Sequence, residues 1–482
     1  MTNESHFENV IFRYRSMDAL LGPREELERQ TVYFAPPEYL NDPMEGMRLI
    51  YWRGDRITWR NLLRHYVICL QNRVFQALLR NQTERLNPQS IAVFQSLDNL
   101  PTPEARALCE ACIEAVEGGE LHAALLDLLA NADRNVSFSE LQRLLRTVHL
   151  DWLGAMHNIF CQRGLAQQTE PMSDPPRGLV DSLRAFKAAV PTLQDQTSDV
   201  RIEFFHEIGN LIGEQMVLLS VSQLAEVLEP KRESLFFDFP TEYLNNLIKL
   251  IYPPWYVACF SAQHDNAAMW SYYAENHQGC CLVFATHETG SRRKLRLNGP
   301  TGYGSDGISC HTTNPTLQPV RYSSEEHRIE FFTNIGRLPF NQTMRNWFQD
   351  DAGTTSPLAD HLSDERQEEW RDGYWEKFAP PLLRKLRDWE HEQESRIILS
   401  DILNIRGTDE GRTFTYDYDT LDGIIFGINT SLSNKVRIMR IIDTKLADRS
   451  VSRPFKFYQA KYNPRSGRIE AHHLGLLRHE EQ

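Results

Sequence analysis

From about residue 56 to residue 250 the apolar residues recur at helical spacing, while the segments on either side read as strands. Trp59, Leu62, Leu63, Tyr66, Val67, Leu70 and Val74 follow an i, i+3, i+4 pattern, and similar periods run through 105–116, 121–129, 138–160 and 200–219. Polar stretches with Pro, such as LDNLPTPEA and QQTEPMSDPPRG, separate them. So long a helical block cannot be threaded through one sheet. It has to form a subdomain inserted into, or packed on, a sheet built by both ends of the chain. The expected fold is therefore mixed α/β (α+β), with the first strands in 1–55, a helical insertion over 56–250 and the rest of the core in 255–482. At 482 residues the chain exceeds one ordinary core, which fits two folding units.

The flanks carry the strand signals. Phe12 to Ser16 alternate, and Thr31, Val32, Tyr33 and Phe34 are β-branched or aromatic before Pro36 and Pro37 stop them. The turn Asn41-Asp42-Pro43 follows. Later strands are expected at 256–261, 279–284 (buried on both faces), 320–322, 396–399, 424–426 and 455–462. Helices are expected near 265–276, 324–349 and 364–390, a mobile loop over 350–363, and Ser137 as an N-cap.

Charge limits the partners. A net charge of −13 gives no global attraction for nucleic acid. The basic stretch 435–468 (Lys435, Arg437, Arg440, Lys445, Arg449, Arg453, Lys456, Lys461, Arg465 and Arg468) reads as a guarded sheet edge or as a contact surface for a nucleotide, a polynucleotide or an acidic partner. No run approaches the roughly 18 apolar residues of a membrane helix. The opening MTNESHFENV lacks the apolar stretch of a secretory signal, so a cytoplasmic chain is expected. Its eight Cys then read as reduced thiols. The Cys109/Cys112 pair has no second pair to complete a zinc site, and no metal is expected.

Three polar constellations stand out. Arg13 and Arg15 flank Tyr14 on one strand and share a face, which an anion or a carboxylate such as Asp42 or Glu45 has to meet. The plain alternative is an ion-pair network with an Asx turn at Asn41. Ser261 ends a strand before a helix that Asp265 or Asn266 would cap, and such a junction offers free N–H groups to a phosphate. Trp270 and Tyr273, three apart, would stack on a flat ring or else pack a core. Glu392, Glu394 and Arg396 share a face if the chain is extended there. Paired carboxylates can divide the roles of acid, base and cation stabiliser. The alternative is an exposed strand end that Arg396 neutralises.

In order, these are RYRS, NDPMEG, CFS, MWSYYA, GCC, VRY and WEHEQESR. The series resembles the bacterial family catalogued as domain of unknown function 2971. It departs from that pattern at Met44, where an aromatic is common, at His391 for Tyr or Phe, and at Ser395 for Trp. The order Arg, strand-borne Ser, Glu-x-Glu is also similar to the Arg–Ser–Glu class of ADP-ribosyltransferases. That resemblance implies Arg15 or Arg13 on the pyrophosphate of NAD, Ser261 supporting the pocket, Glu394 facing the ribosyl cation and Glu392 orienting the acceptor. Tyr33, Trp270, Tyr273 and Arg396 would complete the cofactor surroundings.

Three functions follow as expectations. The first is an NAD-using ADP-ribosyltransferase or NAD glycohydrolase, a toxin or antiviral defence effector with a protein or nucleic-acid acceptor. It needs Arg15, Ser261 and Glu394 in one cleft, and Arg15 and Glu394 on opposite sides of the sheet would end it. The second is a non-catalytic nucleotide- or protein-binding sensor, with Arg13 or Arg15 paired to Glu392 or Glu394, Asp42 or Glu45 paired to Arg396, and no accessible pocket left. The third is a metal-dependent nuclease or hydrolase built on the carboxylates and His264.

Overall fold

The computed structural model describes residues 7–79, 87–130, 134–166, 200, 203–204, 207–211, 213–214, 234–289, 292–305, 307–447 and 455–475. The fold is mixed α/β. The chain divides into two compact units: 1–47, 254–325 and 378–482 form the first, and 48–253 with 326–377 form the second.

In the second unit, helices span Arg56–Leu79, Pro103–Glu117, Glu120–Leu129, Phe138–Gln162 and Phe239–Leu247. Ser137 caps the fourth by accepting from the Glu140 amide, as its position suggested. Most of the periodic run 200–219 and the linkers 167–178 and 191–199 lie outside the described residues. Residues 48–55 and 326–377 also belong here, although their sequence groups them with the sheet segments. The reason is a three-stranded sheet in which Leu49–Trp52 lies between Arg328–Glu330 and Val136–Ser137. Trp52 packs on Phe331 (5.6 Å) and Trp59 on Phe332 (5.4 Å).

The helix expected over 324–349 is broken into that strand, a turn at Phe332–Asn334 and short helical pieces at Phe340–Thr343 and Met344–Phe348. Gly336 and Pro339 interrupt it, and a Cβ on Gly336 would meet the Tyr374 ring at 2.4 Å. The expected mobile loop 350–363 instead holds a short helix, Pro357–Leu362, capped by Ser356, with Ala359 and Leu362 buried.

The first unit is built on an eight-stranded sheet: β1 (Val10–Arg15), β2 (Trp255–Ser261), β3 (Cys280–Ala285), β4 (Gln318–Pro319), β5 (Glu394–Ser400), β6 (Leu421–Phe426), β7 (Lys456–Asn463) and β8 (Arg468–His473). The spatial order is β4-β5-β2-β1-β3-β6-β7-β8, antiparallel throughout except for β6 with β7. β3 is central and apolar on both sides, as its unbroken run GCCLVF implies. Cys280, Leu282 and Phe284 join one core with Ile11, Phe260 and Ile424, which Ile438 and Ile442 of the helix Leu432–Ala447 close. Cys281 and Val283 face the other core, with Phe12, Tyr14 and Trp270.

One joint in this sheet is nearly open. β1 and β2 meet in register at a single position, Phe12 opposite Ser261. Further along β2, Val257 pairs with Ala35 instead, through backbone hydrogen bonds of 2.9 Å in both directions. The sheet is split there, and the split holds a cavity.

Candidate functional site

The cavity, about 460 Å³, lies within the first unit. That is the size of a small-molecule site. Its two ends differ in chemistry.

At one end stand arginines. Arg13 is 7 % exposed, lies 5.5 Å from the Phe260 ring, and donates from Nη2 to the Tyr33 carbonyl at 3.2 Å. Its Nη1 is buried and has no hydrogen-bond partner among the described residues. Burial, with Arg15 acting in the same sense and Glu26 against, lowers its pKa to about 10, so it remains a cation at neutral pH. A buried cationic donor with an unused N–H is what an anion would complete. Arg15 is engaged: Nε donates to Glu26 Oε2 at 2.7 Å, and Nη2 donates to Oε1. Arg24 lies 4.7 Å over the Tyr33 ring, and the Tyr33 hydroxyl donates to Asp409 at 3.0 Å. Three arginines and one carboxylate leave this end net positive.

At the other end stand carboxylates. The chain turns through Arg387–Glu392, passes Gln393 in the left-handed region (φ 44°, ψ 52°), and only then enters β5 at Glu394. Glu392 is thus not on the strand, which corrects the extended reading, but the kink brings it to the same cavity. Ser261 Oγ fixes the kink by donating to the Glu392 carbonyl at 2.8 Å, and it accepts from the Gln263 amide at 3.1 Å. Arg396 grips Glu394 with two bonds (2.8 and 3.0 Å), donates to the Leu382 carbonyl at 2.7 Å and pairs with Glu45. Lys385 Nζ lies 2.5 Å from Glu392, 3.0 Å from Glu45 and 3.2 Å from Glu394. The second Glu392 oxygen accepts from the Tyr273 hydroxyl at 2.6 Å.

Burial pushes the Glu394 carboxyl up, but Arg396 and then Lys385 outweigh it and hold it at about 2. For Glu45 burial wins over the same two cations, and its pKa is raised. Three carboxylates and two cations leave this end net negative.

Of the sequence-selected residues, Arg13, Arg15, Tyr33, Asn41, Glu45, Ser261, Tyr273, Glu392 and Glu394 line the cavity. Three do not. Trp270 is fully buried, edge-on to Tyr14 at 5.2 Å, and donates to the His264 carbonyl, so it is core. Arg396 is fully buried behind the carboxylates and offers a ligand nothing. Asp42, rather than Asn41, makes the Asx turn, accepting from the Met44 amide at 2.9 Å. The expected phosphate junction is also occupied: Asn266 Oδ1 takes the amides of Ala268 and Met269 at the start of the seven-residue helix Ala267–Tyr273.

By register, Ser261 lies opposite Glu394 and shares the face of Phe12, whereas Arg13 and Arg15 belong to the other face. The split between β1 and β2 lets one cavity reach both. Lys385, Glu26 and Arg24 were missed by the sequence reading. Lys385 stands between leucines in Leu382-Leu383-Arg384-Lys385-Leu386, and a cation in an apolar run was the available signal.

Lys385 and Arg396 fill the space between the carboxylates that a metal ion would need. In the basic C-terminal stretch, Lys435 donates to Gln459 and Arg437 to the Leu21 carbonyl, Lys456 pairs with Asp422, and Arg449 and Arg453 lie outside the described residues. Among the described residues no helix is long and apolar enough to cross a membrane.

No curated protein and no solved structure matches the chain. Residues 269–397 match the family described as protein of unknown function (DUF2971), a stretch that holds Lys385, Glu392 and Glu394 of the carboxylate end but not Glu45.

Proposed function

We propose that the split-sheet cavity is the active site of an NAD-using ADP-ribosyltransferase or NAD glycohydrolase, in a cytoplasmic bacterial toxin or defence effector. The observation that carries the reading is the opposed charge of the two ends. The spare Arg13 guanidinium and Arg24 suit a pyrophosphate, and the net-negative group around Glu392 and Glu394 suits a cationic transition state. In that reaction the bond from ribose C1′ to the nicotinamide nitrogen breaks, and its electron pair leaves with neutral nicotinamide. The ribose gathers positive charge. A water or an acceptor hydroxyl on protein or nucleic acid then bonds to C1′ and releases a proton. The carboxylates stabilise the charge through space.

Two adjustments follow. Arg13 rather than Arg15 is the phosphate ligand, because Glu26 already neutralises Arg15. By register Arg15 and Glu394 do lie on opposite faces of the sheet, the arrangement named above as ending this reading; it is kept because β1 and β2 are joined only at Phe12 and Ser261 and both residues line the one cavity.

A second reading is favoured by one observation: each carboxylate in the cavity is paired, and the Ser261 hydroxyl is spent on a backbone carbonyl. That suits a nucleotide-binding sensor without turnover, for which the expected Glu45–Arg396 pair is present, while Arg15 pairs with Glu26 instead of Glu392 or Glu394 and a cavity is present where none was expected. The test is NAD consumption by wild type beside Glu394→Gln and Glu392→Gln, with and without cell lysate as acceptor. The transferase reading expects a loss of about 100-fold or more in each folded variant. Arg13→Met should weaken ADP binding about 10-fold or more. ADP binding with no NAD loss in any condition would establish the sensor instead.

A further inference from the structure

We propose that Lys385 is the positioning residue of the carboxylate end, its one ammonium tying Glu392 and Glu394 into a fixed, net-negative surface facing the cavity. This rests on reading the cavity as a place where positive charge develops.

The geometry is a tripod of charge. Lys385 Nζ donates to Glu392 Oε2 at 2.5 Å and is ion-paired with Glu45 Oε1 at 3.0 Å and Glu394 Oε2 at 3.2 Å, so three carboxylates surround one ammonium. Lys385 is 4 % exposed, and its Nζ lies 4.8 Å from the centre of the Trp389 ring, so water does not replace these contacts. Its strand, Arg384–Lys385, pairs in parallel with Arg321–Tyr322, and the Tyr322 hydroxyl accepts from the Glu394 amide at 2.8 Å. The lysine therefore has a rigid seat beside β5.

The two cations are not interchangeable. Arg396 holds Glu394 and Glu45. Of the two, only Lys385 reaches the Glu392 carboxylate, whose other oxygen accepts from Tyr273. Glu392 also sits on the far side of the left-handed Gln393, outside the strand. Lys385 is thus the bridge across the kink. The three carboxylates raise its own pKa against the effect of burial, so the ammonium is held charged. A doubly charged metal in the same place would cancel the negative charge; the lysine and arginine together leave one unit of it.

The test compares full-length wild type, K385M and K385R. Three readouts are taken: NAD turnover from pH 5 to 9, ADP binding by calorimetry, and infrared difference spectra of protonated carboxyl groups over the same pH range. For K385M the expected result is ADP affinity within about 3-fold of wild type and turnover lowered about 100-fold. Its acid limb should move to higher pH, and a protonated-carboxyl band beyond any in wild type should appear. K385R keeps the charge but not the tripod, and should recover about a tenth of the rate. It also serves where K385M does not fold. Wild-type rate, profile and spectrum in K385M would overturn the proposal, as would equal loss of ADP binding and turnover with no shift of the acid limb. A wild type that never consumes NAD fails the enzyme reading on its own; the infrared band then decides alone, and without it the proposal falls.

Discussion

The two units bury polar groups differently. In the helical unit two histidines sit in neutral, sealed networks, and the buried charge of Arg73 is met by Glu242 at 2.8 Å. His65 is held between the Tyr243 hydroxyl and the Val93 carbonyl, both at 2.9 Å. His149 is held between the Tyr66 hydroxyl (2.8 Å) and the Leu235 carbonyl (2.7 Å). Each carbonyl needs the proton on Nε2, so each Nδ1 accepts from a tyrosine. Aromatic rings fill the surroundings, with Tyr66 4.8 Å from Tyr243 and 5.7 Å from Trp152. In the first unit five charged groups gather instead, and they border a cavity. Apolar packing would stabilise a core at least as well as such a cluster. The comparison teaches that a buried ion pair and neutral hydrogen bonds suffice to fix helices in place, while the five-membered charge cluster is placed at the wall of a cavity.

Acidification should separate them most strongly. Burial lowers the pKa of His65 and of His149 to about 4, well below the unfolded value. The unfolded chain therefore takes up these protons first. The stability they contribute is complete above about pH 6.5 and falls as the pH drops toward 4, by about 3 kcal/mol for each histidine. Glu394, held at about 2, contributes stability above its unfolded value near pH 4.5 that disappears only as the pH falls toward 2. Hydrogen exchange, corrected for intrinsic rate, should show peptides over 56–79 and 138–162 losing protection between pH 6.5 and 4.5 before those over 394–400. The reverse order would break the comparison.

Substitution gives the next effect. Arg396→Met leaves Glu394 and Glu45 buried with Lys385 alone, and should cost the first unit about 3–5 kcal/mol in urea unfolding. Tyr66→Phe removes one neutral hydrogen bond and should cost the second unit about 1 kcal/mol. Equal costs would mean that the cluster is not the buried charge network described.

Much of this was legible in the sequence. The helices at Arg56–Leu79, Pro103–Glu117, Glu120–Leu129 and Phe138–Gln162, the twice-buried strand at Cys280–Ala285 and the cap at Ser137 follow from periodicity and side-chain chemistry within a few residues. Nine of the twelve selected site residues line one cavity because strands carry motifs to a common edge. What was not legible depends on pairing between distant segments. Nothing local says that 328–330 pairs with 49–51, which is what draws 326–377 into the second unit. Alternation alone puts Arg13 and Glu394 on opposite faces, and only the split between β1 and β2 joins them. Trp270 reads like a stacking residue, yet it stands on the face of a short helix that covers the core. Lys385 belongs to no motif; its partners lie 7, 9 and 340 residues away in the chain.

The smallest effect sharpens the comparison best, because it uses the same chemistry in both units. Ser137→Ala removes a cap bond to the Glu140 amide and should cost about 1 kcal/mol with nothing else changed. Asn266→Ala removes the same kind of bond, here to Ala268 and Met269, and should cost about as much. But Asn266 also donates from Nδ2 to the His391 carbonyl at 2.6 Å, one residue before Glu392. On the proposed reading its loss should loosen the turn that aims Glu392, lowering NAD turnover about 10-fold while ADP affinity, which that reading assigns to the arginine end, holds. If Asn266→Ala behaves like Ser137→Ala, costing stability alone, then the turn is held by Ser261 and Lys385 without help from the helix, and the helix serves only to cover the core.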